Sequence, residues 1–287
     1  MLNNPDVAHL LEHWLPGDEV RSVIPLGAGL DNTALLVNDE IVVRQAREPD
    51  PDAVRREAAL LDLVARHATL PVPEIVFTDP EKGILSYRAL PGTPLIDIPD
   101  ADSTALAEPL GTFIAAIHAI PRADVEHLVA PEVDLLSEWL DEARAGYEQV
   151  GSLIPASARA EVEAFLHAPP PSEAKRLTLC HNDFGAEHIL VDPDTLHITG
   201  IIDWSDASIT DPVRDLALVY RDLGPDALDR AVAAYRTALT DADMRRLVFH
   251  ARCKLIEDLA YGLESGQTRY ADTAVAHLEW IFPSGTT

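Results

Sequence analysis

Residues 180–204 read CHNDFGAEHILVDPDTLHITGIIDW, and this stretch decides the fold. A polar loop at 181–188 leads into the apolar residues 189–191, an Asp-Pro-Asp turn at 192–194 and a second apolar run at 198–202. Short apolar runs on either side of a turn predict the two strands of a β-hairpin. Because the far ends of a hairpin lie together, we expect the loop before the first strand to meet the residue that follows the second.

Three polar side chains would converge at that end of the hairpin: Asp183, His188 and Asp203. A carboxylate can accept a proton, and carboxylate and imidazole groups can hold a divalent cation. This combination suits phosphoryl transfer, in which a protein positions a hydroxyl group and neutralises phosphate charge through metal ions. The alternative is an acidic surface hairpin, since most carboxylates on loops are simply solvated. The flanking apolar strands, followed by Asp-Pro-x-x-Asp at 211–215, favour the site.

The composition is that of a globular protein with excess negative charge. A chain of 287 residues, 47% of them apolar, suffices for one large domain or two lobes. The 48 acidic residues against 22 Lys and Arg give a formal charge of −26, which repels nucleic acid and attracts cations. We therefore expect no nucleic-acid partner. A cationic small molecule would be drawn in, although many proteins carry such a charge for solubility alone.

The sequence contains no targeting or membrane signal. No apolar run approaches the length of a membrane span, and the segment MLNNPDVAHLLEHWLP lacks the basic and apolar regions of a signal peptide. We expect a cytoplasmic protein with no membrane partner. Cys180 and Cys253 are too few for a disulfide framework and lack the spacing of a zinc site. The oligomeric state stays open.

Three strands are predicted near the start of the chain. The sequence VIPLGAGLDNTALLVNDEIVVRQ reads as strand, glycine turn, strand, tight turn and strand, after a short opening helix at 6–14. Gly27 and Gly29 have no Cβ, so their turn can approach a phosphate closely, although hairpins also use glycine for turning alone. Arg44 ends the third strand and Glu57 lies in the next helix; they are either an ion pair that fixes a phosphate-facing cation or two surface charges.

The chain as a whole divides into two parts. Residues 1–90 predict a five-stranded antiparallel sheet with one main helix, and residues 91–287 predict a mainly helical region that carries the hairpin. The predicted helices of the second part span 104–120, 135–147, 156–167, 212–220, 226–239, 241–264 and 268–281. This α+β organisation, with a small antiparallel-sheet N-lobe and a large helical C-lobe, is kinase-like and places a nucleotide in the cleft between the lobes.

The sequences HNDFGAEHIL and TGIIDW resemble the aminoglycoside phosphotransferase family of kinase-like enzymes and are most similar to its 2''-phosphotransferase branch. The resemblance covers nearly the whole chain and implies a bilobal protein-kinase-like fold, magnesium, and ATP or GTP as the phosphate donor. It implies that Asp183 orients the acceptor hydroxyl and takes its proton, while Asp203 and His188 bind the metal. Most of the family has asparagine where His188 stands, so the imidazole predicts tolerance of manganese.

The resemblance also assigns supporting residues. Asp215 resembles the buried aspartate that holds the catalytic loop, and His181 is expected to brace that loop. Arg44 departs from the family, which usually has a lysine at this strand position paired with the helix glutamate, here Glu57. Arginine binds phosphate through a planar fork, whose reach and shape differ from those of lysine. Either Arg44 substitutes for that lysine, or nucleotide binding is altered.

The nucleotide base is expected to contact the connector at 86–90, which includes Ser86, Tyr87 and Ala89. Backbone groups of these residues would bind the edge of the base, and Tyr87 would select between adenine and guanine.

Three acids on a late predicted helix, Glu257, Asp258 and Glu264, are candidates for binding ammonium groups of the acceptor, although acids on a helix face are more often simply solvated. The acceptor expected from the resemblance is an aminoglycoside or another antibiotic. Two other readings stay open. One is a kinase for a macrolide, a nucleoside or a metabolite, because this fold hosts many acceptors. The other is a nucleotide-binding regulator without phosphoryl transfer.

Overall fold

The computed structural model describes residues 13–14, 19–28, 32–98, 104–132 and 135–283. A five-stranded antiparallel sheet occupies the N-terminal part, with strand order β1-β2-β3-β5-β4. Its strands are β1 (Val23–Ala28), β2 (Asn32–Val37), β3 (Ile41–Ala46), β4 (Ile75–Asp79) and β5 (Ile84–Arg88). The predicted sheet is therefore confirmed. The predicted opening helix at 6–14 lies almost wholly outside the described residues.

The main helix of this part is α1 (Pro51–His67), which follows β3. It begins where the predicted prolines stand, because the Asp50 side chain accepts hydrogen bonds from the amides of Asp52 and Ala53 and so caps the first turn. Its buried apolar residues, including Leu61 and Val64, join the main core. The helix is thereby fixed against the sheet, and Glu57 on α1 contacts Arg44 on β3.

The second part is mainly helical. Its helices are α2 (Thr104–His118), α3 (Arg122–Val125), α4 (Leu136–Val150), α5 (Ala156–His167), α6 (Val213–Tyr235), α7 (Asp241–Ser265) and α8 (Thr268–Ile281). The prediction of separate helices at 212–220 and 226–239 is confirmed in outline, because α6 consists of two helical segments joined at a kink. At the kink Gly224 is non-helical, with φ 81° and ψ −178°, and Pro225 follows it. The second segment ends at Tyr235 rather than at residue 239.

Short strands place the hairpin among these helices. Strands β8 (Ile189–Val191) and β9 (Ile198–Ile201) pair antiparallel, and β6 (Thr93–Pro94) adds to the β8 edge. Strands β7 (Thr178–Cys180) and β10 (Ser208–Thr210) form a second ladder directly before and after the hairpin. The hairpin was predicted; the two-stranded ladder and β6 were not, because runs of two or three residues carry no usable periodicity.

One apolar core runs from the inner face of the sheet through the helices. A smaller cluster, containing Val37, Val43 and Phe77, covers the opposite face of the sheet. The division between lobes at residues 90 and 91 stays a prediction. Within the described part of the chain, no helix is both long enough and apolar enough to cross a membrane.

Candidate active site

The three polar residues predicted to meet at the end of the hairpin do meet. The Nδ1 atom of His188 lies 3.3 Å from Oδ2 of Asp183, and its Nε2 atom lies 3.8 Å from Oδ2 of Asp203. Pairing of Ile189 with Ile201 brings the residues before β8 and after β9 to one end. The cluster follows directly from the hairpin register, which is why the sequence could predict it.

The hydrogen bonds of His188 decide which of its nitrogens can bind a metal. Nδ1 lies 2.9 Å from the backbone carbonyl oxygen of Asp183, and because a carbonyl only accepts, Nδ1 carries the proton and donates. In the neutral ring Nε2 is then left with a free lone pair directed to the side of Asp203. Burial would lower the pKa of His188, but the carboxylates of Asp183, Glu187 and Asp203 outweigh it and raise the pKa. Two carboxylates and an imidazole nitrogen are a donor set that fits a divalent cation.

Glu187 joins this cluster, and the sequence reading missed it. Potential ligand atoms of Asp183, Glu187 and His188 all lie within 4.8 Å of one another. Its position directly before His188 was the available signal, but adjacent residues on a loop give no indication of whether they face the same side.

Asp215 anchors the loop that carries Asp183. This buried carboxylate accepts hydrogen bonds from the backbone amides of His181 (3.0 Å) and Asn182 (2.8 Å) and from Nε2 of His118 (2.9 Å). Burial would raise the pKa of Asp215, but the hydrogen bond and charge of His118 lower it. The geometry agrees with the role expected of Asp215.

His181 ties the two arms of the hairpin together. Its Nε2 atom donates to the carbonyl oxygen of Ile202 (2.9 Å), and its Nδ1 atom accepts from the amide of Asp183 (3.3 Å). Burial lowers the pKa of this imidazole, so it stays neutral and suits a bracing role. One ring therefore connects the backbone beside Asp183 to the backbone beside Asp203.

Arg44 and Glu57 form the ion pair that the sequence left open. Their side chains are in direct contact, and Nη1 of Arg44 lies 3.9 Å from Oδ1 of Asp203. The guanidinium thus links the sheet to the end of the hairpin. A cavity of about 390 Å³ lies beside this pair and reaches Ser205. The ion pair is thus confirmed, and the role of Arg44 as a phosphate-facing cation stays a prediction.

The connector differs from its prediction. Ser86 and Tyr87 belong to β5, which pairs with β3 on one side and β4 on the other, so Ser86 is a buried sheet residue and its backbone groups face neighbouring strands. The amide of Ala89 already donates to the carbonyl of Glu40 (2.8 Å). The expectation that Ser86 reads a base through its backbone is corrected for this reason.

Whether Tyr87 contacts the base stays a prediction. It lies opposite Val42 in the register, on the same face of the sheet as Arg44, and burial raises its pKa to about 12. The predicted glycine turn is only partly described: Gly27 lies in β1 opposite Ala34, and Gly29 lies outside the described residues.

The three acids of α7 are in different situations. Oε1 of Glu257 lies 3.0 Å from Nζ of Lys254, and Oδ2 of Asp258 lies 2.8 Å from Nη1 of Arg221. Glu264 is exposed near the end of the helix. Whether these acids bind an acceptor stays a prediction, and two of them would do so from existing ion pairs.

Arg221 is the centre of a buried charge cluster that no sequence pattern predicted. Its guanidinium contacts Asp222 (2.7 Å), Asp258 (2.8 Å) and Glu187 (3.5 Å). Burial raises the pKa of Asp258 despite the ion pair with Arg221, and the nearby Glu187 and Asp222 carboxylates add to the rise. Three carboxylates share one guanidinium beside the catalytic loop, and the raised pKa of Asp258 reflects the negative charge that Arg221 does not offset.

Known proteins share this sequence pattern. A family model described as the phosphotransferase enzyme family matches residues 22–250. The aminoglycoside 3'-phosphotransferase of Streptomyces fradiae is 27% identical over 217 residues, which are 68% of this chain and 76% of that protein. The viomycin phosphotransferase of Streptomyces vinaceus is 26% identical over 238 residues, 78% of this chain and 81% of the relative.

Solved structures share the fold. The GDP complex of wild-type aminoglycoside 2'-phosphotransferase-IIIa has a TM-score of 0.72 at 24% identity, covering 98% of both chains. The macrolide 2'-phosphotransferase from Brachybacterium faecium has a TM-score of 0.65 at 23% identity, covering 98% of this chain and 99% of that one. The predicted kinase-like α+β fold is confirmed.

Proposed function

Because the chain belongs to the phosphotransferase enzyme family, as its sequence predicted, we propose that it is a small-molecule kinase that transfers the γ-phosphate of ATP or GTP to a hydroxyl group of an antibiotic. The observation that carries this proposal is the convergence of Asp183, His188 and Asp203 at the end of the hairpin. The intact convergence also argues against a regulator that only binds nucleotide, because such a protein has no need of a carboxylate poised for proton transfer.

In the proposed reaction Asp183 positions the acceptor hydroxyl and receives its proton. The hydroxyl oxygen forms a bond to the γ-phosphorus, the bond from that phosphorus to the bridging oxygen breaks, and its electron pair leaves with the nucleoside diphosphate. His181 and Asp215 hold the loop so that Asp183 needs no rearrangement.

Magnesium is the proposed cofactor, and when bound it would neutralise phosphate charge. Asp203 and Nε2 of His188 would hold it. On the nucleotide side we propose that Arg44, fixed by Glu57, takes the place of the family lysine, and that Tyr87 and the backbone around Ala89 border the base.

For the acceptor we propose a cationic antibiotic, most simply an aminoglycoside. The relatives at 26–27% identity are named as an aminoglycoside and a viomycin phosphotransferase. The excess negative charge around Arg221, including Asp258, supports an acceptor that carries ammonium groups. A macrolide kinase is the second candidate, since a macrolide 2'-phosphotransferase shares the fold.

Mass spectrometry of candidate acceptors would test the proposal. The protein is incubated with magnesium, with ATP and GTP in separate reactions, and with aminoglycosides, viomycin, macrolides and nucleosides. A gain of one phosphoryl group on an aminoglycoside, absent with Asp183→Asn, is the expected result. Phosphorylation of a macrolide alone would favour the second candidate, and a chain that binds nucleotide but modifies none of the panel would contradict the antibiotic-kinase proposal.

A further inference from the structure

Glu132, which lies between α3 and α4, contacts the catalytic loop, and the roles proposed above do not use it. Its Oε2 atom accepts hydrogen bonds from Nδ2 of Asn182 at 2.6 Å and from Oγ of Ser208 at 3.2 Å. Asn182 directly precedes the proposed base Asp183, and Ser208 begins β10, which follows the segment of Asp203. One carboxylate therefore connects the two segments that carry the proposed base and a proposed metal ligand.

The backbone holds Glu132 in this place. The amide of Glu132 donates to the carbonyl oxygen of Ile209 at 3.2 Å, and the amide of Ile209 donates to the carbonyl oxygen of Ala130 at 3.3 Å. Residues 130–132 therefore run along β10, which pairs with β7 on the other side. The catalytic loop begins directly after Cys180, the last residue of β7. Glu132 and the catalytic loop are thus attached to the same pair of strands.

The side-chain amide of Asn182 is held at both of its ends. Nη1 of Arg214 donates to Oδ1 of Asn182 at 2.9 Å, and the same nitrogen contacts the carboxylate of Glu132. The guanidinium lies over the Trp139 ring at 4.4 Å, and only 6% of the Arg214 side chain is exposed. A reversed amide would place its NH2 group against the guanidinium and its oxygen against the carboxylate. These contacts therefore permit one orientation of the Asn182 amide.

The backbone turns at Asn182 to direct the next residue, Asp183. Asn182 has φ 70°, in the left-handed region that side chains other than glycine rarely adopt. Such a conformation persists where the surrounding contacts determine it. The amide of Asn182 is bound by Asp215, as described above, and its side chain is bound by Glu132 and Arg214. The direction of Asp183 therefore depends on contacts that the side chain of its neighbour makes.

The contacts of Glu132 require a carboxylate. Burial would raise its pKa, but the hydrogen bond and charge of Arg214 and the hydrogen bonds of Asn182 and Ser208 lower it, so the side chain is ionised. An ionised carboxylate offers two acceptor oxygens, whereas an amide of the same size offers one oxygen and an NH2 group. That NH2 group would face a donor of Arg214 or Asn182. Glu132→Gln therefore keeps the size of the side chain and breaks the set of contacts.

Asp203 lies between two attachments to the catalytic loop. His181 of the loop bonds to the carbonyl oxygen of Ile202, directly before Asp203. Glu132 binds Ser208, five residues after Asp203, and connects it to the same loop. The two attachments lie on opposite sides of Asp203 in sequence, so together they limit how far the loop can shift relative to this residue.

We propose that Glu132 is a positioning residue for the proposed phosphoryl transfer. Through Asn182 it sets the direction of Asp183, and through Ser208 it keeps the catalytic loop in place relative to Asp203. The inference rests on the proposed function. The bonds made and broken are those given above; Glu132 forms no covalent bond and transfers no proton.

The test compares turnover by single and double variants. Release of ADP or GDP is measured with kanamycin, with the other acceptors of the panel above and with water alone as the acceptor. Rates are expressed per nucleotide-binding site, counted by calorimetry, so that unfolded protein does not lower them. The variants are Glu132→Gln, Asn182→Ala and the two combined. Glu163→Gln is the matched control, because this carboxylate on α5 also accepts a side-chain hydrogen bond, from the Tyr147 hydroxyl at 2.8 Å.

We expect Glu132→Gln to lower kcat per site by about 10–100-fold and to keep KM for the nucleotide, because a small displacement of the base slows transfer without weakening nucleotide binding. In the Asn182→Ala background the same substitution should lower kcat by less than about threefold, because the contact through which it acts is already lost. Glu163→Gln should keep the wild-type kcat.

An undiminished kcat in Glu132→Gln, or equal losses in both backgrounds, would overturn the role of Glu132 and leave the proposed function standing. If Glu132→Gln does not fold, Ser208→Ala replaces it, and loss of that single hydrogen bond should lower kcat per site by about 3–10-fold. An unchanged kcat in Ser208→Ala would then overturn the proposal. No turnover by the wild type with any acceptor would count against phosphoryl transfer and remove both proposals.

Discussion

Two groups of acidic residues bear on the proposed chemistry, and they differ in what surrounds them. Asp183 and Asp203, at the hairpin end, face His188, whose Nδ1 atom lies 3.3 Å from Asp183 and whose Nε2 atom lies 3.8 Å from Asp203. Glu257 and Asp258, on α7, are each in contact with a cation of the protein, Lys254 and Arg221. The same residue type therefore faces an imidazole that can give up its proton in one place and a cation that stays charged in the other. The partners, rather than the acids, distinguish the two groups.

The largest effect is expected at the hairpin. Asp183→Asn should lower kcat by about 10²–10⁴-fold, because the amide cannot accept the hydroxyl proton. Nucleotide affinity should be kept, since Asp183 is placed on the acceptor side of the transfer. Steady-state kinetics and calorimetry of the same preparation check both values. Full turnover by Asp183→Asn would show that Asp183 does not accept the proton. The proposed contrast between the hairpin acids and the α7 acids would then fail.

The next largest effect is expected at Asp215, which anchors the catalytic loop. Asp215→Asn should lower the free energy of unfolding by about 3–5 kcal/mol, because a buried, hydrogen-bonded charge is lost and an amide N–H faces the donors of His181 and Asn182. Denaturant titration measures this loss, with Asp192→Asn on the exposed turn as the control. Equal stabilities would contradict the anchoring role.

The pH dependence of that loss has a definite sign. The folded pKa of Asp215 is depressed, since its contacts with His118 outweigh burial. Its contribution is then complete above the ordinary aspartate pKa of about 3.9 and disappears as pH falls through the folded value. The difference in the free energy of unfolding between wild type and Asp215→Asn should therefore shrink as pH falls. A difference that grew in acid would contradict a depressed pKa for Asp215.

The smallest effects are expected on KM, where Glu257 and Asp258 of α7 should differ. Asp258→Asn should raise KM for a cationic acceptor by about tenfold, because a cation bound beside Asp258 would favour its ionised form and an amide cannot supply that charge. Glu257→Gln should change KM by less than about fivefold, since Glu257 is 58% exposed and already paired with Lys254. Steady-state kinetics of both variants with the same acceptor measure the two KM values. A larger effect from Glu257→Gln would mean that the ion pair with Lys254 opens for substrate.

The contrast also explains what the sequence could predict. The hairpin and its three functional residues follow from contacts between segments near in sequence, and strand alternation with a turn determines such contacts. The pairing of Arg221 with Asp258 and Glu187 joins α6, α7 and the catalytic loop, and no spacing rule connects them. The burial of Lys254 against Trp139 was likewise not predicted, because a lysine on a helix gives no indication of which ring it contacts.

The fold shows the same limit. The five strands and α1 were predicted because their periodicity is clear over five or more residues. Ser86 was assigned to the connector because the end of β5 carries no breaking residue before Pro91, so the strand boundary had no local signal. In α6 the predicted break between residues 220 and 226 falls at Gly224 and Pro225, where the backbone is not helical.

The central claim is that Asp183, His188 and Asp203 form one metal-assisted centre, and manganese allows it to be tested directly. Electron spin echo envelope modulation of manganese bound with GDP or ADP detects a nitrogen coordinated to the metal. The account predicts a nitrogen coupling in the wild type that is lost in His188→Gln, while nucleotide binding is kept. Manganese that binds with nucleotide but shows no nitrogen coupling in the wild type would contradict the account.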